Sequence, residues 1–249
     1  AKEFRNILEK NAEKDITWFF QDYVASGEKI DFKIQKVKKS QDSLEVTIRN
    51  KRDNNMPVPL YGLKDGKIIF KTWITNTESN PTVTIPRKDV DRLALNYEGN
   101  IPEFNQRNNY KGITTLLDKP VQFRLLQDTE DPRYHQLFFM PEITFNLYDG
   151  VAIGPKLYNK TFLNRNLDFR IAPKFGFTSK TIVGSAFISN THYFDEENIF
   201  AIRYGVGVVR FSYGYDLFYE KFTPILGFYF RTPYLRDNNR QILTLRNVN

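Results

Sequence analysis

The sequence contains no cysteine, which removes disulfide frameworks, thiolate zinc sites and cysteine nucleophiles together. Its only two histidines, His135 and His192, lack the helical spacing of paired metal ligands, and no H-E-x-x-H occurs. Nor is there a G-x-S-x-G, a P-loop or a dinucleotide fingerprint; Gly205-Val206-Gly207 lies in a strand-like run instead of opening a helix. The chain therefore holds no complete catalytic, cofactor or metal site, and each histidine reads as structural or interfacial. Long apolar runs are absent too: none approaches the ~18 residues of a transmembrane helix, and mean hydropathy is −0.51. A membrane β-barrel escapes that exclusion, because alternating strands keep their mean hydropathy low.

Aromatic residues, by contrast, are plentiful. There are 22 Phe and 14 Tyr against 2 Trp and 2 Met, a balance typical of β-proteins with one apolar face. The net charge of +7 comes from basic residues interspersed with acids, so nucleic acid is not an expected partner. Lys36-Val37-Lys38-Lys39 reads as a solvated strand edge. Glu130-Asp131 and Asp195-Glu196-Glu197 read as loop charges. The chain opens at Ala1-Lys2-Glu3 without an initiator Met or signal peptide and stops inside a strand-like run, Leu243 to Asn249, so both ends are expected to be cuts.

Periodicity divides the chain into four parts. Residues 1–28 carry helical spacing: Phe4, Ile7, Leu8 and Asn11 share a face, and a second short helix holds the core cluster Trp18-Phe19-Phe20 before Gly27. The period then changes to two, and residues 29–98 read as a small β-sandwich. Ile30, Phe32 and Ile34 alternate with polar residues, as do Leu44, Val46 and Ile48. Asp65-Gly66 marks a hairpin; Thr82 to Ile85 and Leu93 to Leu95 supply further strands. Pro57, Pro59, Pro81 and Pro86 are expected at edges and turns. Residues 99–135, rich in Asn near their start, read as linker.

Residues 136–249 alternate over longer strands, about seven in number and roughly ten residues each. Ile143, Phe145 and Leu147 form one apolar face; Leu167, Phe169, Ile171, Phe175 and Phe177 form the next. Opposite them stand Asp168, Arg170, Lys174 and Gly176, and later strands add many small residues to this polar side, as a crowded lumen requires. A tilted strand of about nine to eleven residues spans a bilayer, with its outward face apolar and its inward face free to be charged. Those eight apolar residues are thus expected to face outer-membrane lipid, with Tyr134, Tyr148, Tyr158, Tyr193 and Tyr213 in interfacial girdles. The expected fold is mainly β: short N-terminal helices, a sandwich, then antiparallel strands of an incomplete outer-membrane β-barrel, with more strands after Asn249.

Particular strings carry a family resemblance over nearly the whole chain. Trp18-Phe19-Phe20-Gln21-Asp22-Tyr23-Val24, Ile30-Asp31-Phe32-Lys33-Ile34 and Ile101 to Asn109 (IPEFNQRNN) resemble the C-terminal part of gluzincin (aminopeptidase N-like) membrane proteins of Bacteroidota. So do Phe145 to Gly150 (FNLYDG) and Leu157 to Phe162 (LYNKTF). The resemblance implies a parent with an upstream thermolysin-like zinc domain, the end of its helical lobe, a periplasmic sandwich within residues 1–110 and an outer-membrane barrel. The family's zinc ligands have no counterpart here, so zinc is expected only in an intact upstream domain. Other outer-membrane proteins are the further partners this reading allows.

Overall fold

The computed structural model describes residues 2–13, 15–27, 29–52, 54–194, 198–234 and 236–247. Asp195-Glu196-Glu197 lies outside them. The protein is mainly β, with antiparallel sheets and few helices. Contacts divide it into two units: Ala1–Pro120 with Pro132–His135, and Val121–Asp131 with Gln136–Asn249.

The first unit opens with α1 (Lys2–Asn11), whose apolar Phe4 and Ile7 are exposed; no residue of this helix is buried. A π-helical turn, Phe19–Val24, buries Phe20, and Trp18 packs on the main core. Seven strands follow: β1 (Phe32–Lys39), β2 (Ser43–Asn50), β3 (Val58–Lys64), β4 (Lys67–Ile74), β5 (Thr82–Pro86), β6 (Arg92–Leu95) and β7 (Tyr110–Gly112). They form two sheets, ordered β1-β2-β5 and β4-β3-β6-β7. Period-two alternation puts Leu44, Val46 and Ile48 of β2 on one face, and these pack with Phe32, Val58, Leu60, Leu93 and Leu95 in one core. The Asp65-Gly66 hairpin has positive φ at both residues, 50° and 77°, as a two-residue turn of this hand requires.

Two expectations need correction here. Pro59 lies neither at an edge nor in a turn; it is the second residue of central β3. Its carbonyl accepts from the Asn96 amide, and pairing with β6 begins only at Leu60, so the missing N–H costs no ladder bond. Residues 99–135 are more than a linker: they supply β7, which extends the sheet beside β6, and β8. Ile101, Glu103, Asn109 and Tyr110 are buried.

Glu103 explains how this segment is held. Its carboxylate accepts from the Phe32 amide at 3.1 Å, from Asn96 Nδ2 at 3.0 Å and from Asn109 Nδ2 at 2.8 Å. Burial nevertheless pushes its carboxyl up to about 7, against those donors, with buried Asp31 adding to the rise. A carboxyl whose pKa rises on folding favours the folded state below its unfolded pKa near 4.5. That advantage is lost as pH climbs through about 7, on the order of 3 kcal/mol in all. The stability of wild type minus that of Glu103→Gln should therefore fall between pH 5 and pH 8 in urea titrations; a flat difference would refute the assignment.

The second unit is one eight-stranded sheet: β8 (Val121–Leu125), β9 (His135–Asn146), β10 (Gly150–Tyr158), β11 (Leu167–Gly176), β12 (Thr181–Tyr193), β13 (Ile199–Gly214), β14 (Leu217–Phe230) and β15 (Ile242–Arg246). Spatial order follows chain order, and β9 through β15 pair antiparallel with their neighbours. Among the described residues no pairing joins β8 to β15, so the sheet is open at both edges.

Candidate functional site

The register fixes two faces on this sheet. Ile143 and Phe145 on β9 lie opposite Ile153 and Val151 on β10, and Ile153 lies opposite Phe175 on β11. Phe169 and Ile171 continue the same face opposite Ile188 and Ala186 on β12. Seven of the eight residues read from the sequence as an outward stripe are exposed, from 44% for Leu167 and Ile171 to 75% for Phe145 and Leu147; Phe169 is half-buried. Further along, Ile188, Tyr204, Val208 and Phe222 extend this exposed apolar surface. The signal was legible because it is local: side chains two apart on one strand must share a face.

The other face is mainly small and polar, with Phe138 and Phe187 among its larger apolar residues. It runs from Glu142 and Thr144 on β9 through Ala152 and Gly154 on β10, Asp168, Ala172 and Lys174 on β11 and Ser185 and Ser189 on β12 to Gly205 and Gly207 on β13. Ala152, Ala172, Val183, Ser189 and Ala201 are nearly inaccessible on this side. Ion pairs reach across intervening strands: Lys174 Nζ lies 3.3 Å from Glu142 Oε2, and Arg203 lies 3.7 Å from Asp168. Arg203 also donates twice to the Ser189 hydroxyl, at 3.2 and 3.1 Å.

This polar face is the concave one. Asn146 Nδ2 on β9 donates to the Ser212 carbonyl on β13 at 2.6 Å. Four interstrand steps separate those strands, which in a flat sheet is about 19 Å. Only a strongly rolled sheet closes that gap, and small residues on the inner side permit the roll. At Gly154 a Cβ would fall 1.8 Å from the Pro173 carbonyl oxygen, so no larger residue fits between β10 and β11.

At the far end of the concave side is a cavity of about 340 Å³, lined by Arg165, Asp168, Arg203, Tyr193, Phe200 and Tyr229 among others. Two tyrosines expected in outward girdles turn out to face inward. Tyr158 shares the face of Phe138, with ring centroids 5.6 Å apart, and Tyr193 lines the cavity; alternation at the strand ends decided their side. His135 and His192 are both exposed, and His192 packs edge-on against Phe194 at 4.7 Å. Among the described residues no group of three or more His, Asp or Glu is arranged to hold a metal ion, and no helix is long and apolar enough to cross a membrane.

Compared with protein-family models, curated proteins and solved structures, the chain gives no significant match.

Proposed function

We propose that residues 136–249 are part of the wall of an outer-membrane β-barrel and that this portion of the chain anchors its parent protein in the membrane. The observation that carries the reading is an inversion. A soluble barrel or sandwich puts its apolar side inward, whereas here the concave side is small, charged and hydrogen-bonded, and the convex side is an exposed apolar surface. Apolar surface that extensive is unfavourable in water and calls for a cover, and lipid suits a surface of this curvature and strand length. In lipid every backbone polar group also needs a partner, so the open edges of β8 and β15 call for further strands.

By its resemblance, the parent is a zinc-metallopeptidase-like protein, and this portion contributes its membrane anchor and a periplasmic sandwich but none of its chemistry. A second reading, a non-enzymatic subunit of an outer-membrane assembly or transport complex, draws on the exposed Phe4 and Ile7 of α1 and the exposed Trp73 on edge strand β4, which suit docking. The parent, extracted from outer membranes in detergent, separates the two. Near-stoichiometric zinc is the expected result; no zinc with a constant set of partners would favour the subunit, and recovery from the soluble fraction would overturn both.

A further inference from the structure

The rim that carries the short connections 147–149, 177–180 and 215–216 is bridged from the β9–β10 turn to β13. Asn146 belongs to the concave face of β9, and its amide donates both to the Ser212 carbonyl at 2.6 Å and to Asp149 Oδ2 at 3.2 Å. The Asp149 carboxylate in turn accepts from the Ser212 amide at 3.0 Å and from the Ser212 hydroxyl. Its backbone carbonyl accepts from the Thr178 amide at 3.0 Å. The turn lies over the lumen side: a Cβ built at Gly176, which shares the inner face of Ala172 and Lys174, would meet Asp149 Cβ at 3.2 Å. Asp149 and Ser212 are each only 2% exposed.

Ser212 still lies opposite Phe218 on β14, but it is free to take this partner because the ladder to β12 has ended before it. Pairing of β12 with β13 runs only to Gly184 opposite Arg210, and β13 is irregular between Ser212 and Gly214. Such bulges end regular pairing at barrel rims. Behind the turn, the Glu142–Lys174 pair crosses the lumen side, with the Lys174 side chain 12% exposed.

We propose that the β9–β10 turn is a latch that closes this mouth, so that the barrel is a non-conducting anchor instead of a channel. The proposal rests on the membrane reading above. Its test is the full-length parent protein, whose further strands the open edges of β8 and β15 call for, reconstituted into lipid vesicles and planar bilayers, with vesicle flotation scored separately from conductance. Wild type is expected to float and to show no stepwise conductance. Asn146→Ala/Asp149→Ala is expected to float and to conduct in discrete steps. Ser212→Ala, which keeps the backbone bonds of residue 212, is expected to remain silent. Stepwise conductance by wild type would overturn the latch, as would a double variant that floats yet stays silent. Where the double variant does not float, Asn146→Ala alone takes its place: discrete conductance steps support the latch, and silence in a floating variant overturns it. A wild-type parent protein that fails to float instead overturns the membrane reading and the latch with it.

Discussion

Ile171→Arg should abolish stable insertion of the full-length parent protein into vesicles, while Arg170→Ala leaves it intact. Ile171 sits midway along β11 on the convex side and is 44% exposed; Arg170 lies on the opposite face, across from Phe187. Near the bilayer midplane, Arg on the lipid face of a barrel costs about 2–4 kcal/mol. That corresponds to roughly a 30- to 1,000-fold loss in the inserted fraction. If the same surface met water, replacing an exposed Ile by Arg would change stability by no more than about 0.5 kcal/mol. The two environments thus predict opposite outcomes for one substitution. Flotation and urea-resistance of vesicle-bound protein measure it, and equal behaviour of the two variants would sink the assignment of faces. Phe169 is less suitable for this test, since it is half-buried.

Phe32→Ala should unfold the first unit at much lower urea than wild type. Phe32 is wholly buried in the core between the two small sheets, and its removal leaves a cavity that costs about 3–5 kcal/mol. For a domain with a stability of about 5–15 kcal/mol that is a large fraction. Both tryptophans of the chain, Trp18 and Trp73, belong to the first unit, so their fluorescence reports its unfolding without signal from the second. Phe104→Ala provides the comparison, since Phe104 is 64% exposed and its loss should cost little. A Phe32→Ala midpoint no lower than that of Phe104→Ala would mean that this core does not hold the unit together.

The strands were legible wherever one periodicity dominated. Leu44, Val46 and Ile48 announced β2, Asp65-Gly66 announced the β3–β4 hairpin, and the apolar stripe from Ile143 to Phe177 announced the exposed face. Segments without such a pattern were missed. The three residues of β7 are too few to show a period, and the Asn-rich loop around Glu103 looks solvent-facing until its amides are seen to enclose a buried carboxylate. Tyr158 and Tyr193 face inward although their residue type suggests an interface, because register governs direction.

The candidate site divides in the same way. Asp149-Gly150 was readable as a turn, but nothing near it named Ser212, 63 positions away, as the group it would hold. Which residues alternate, and hence which side of each strand is apolar, follows from the sequence alone, because backbone pleating makes it a property of nearest neighbours. Which side becomes concave, how far the sheet rolls and what closes its rim were decided only in the tertiary structure. Those features depend on small residues meeting across strands and on hydrogen bonds between positions the chain brings together last.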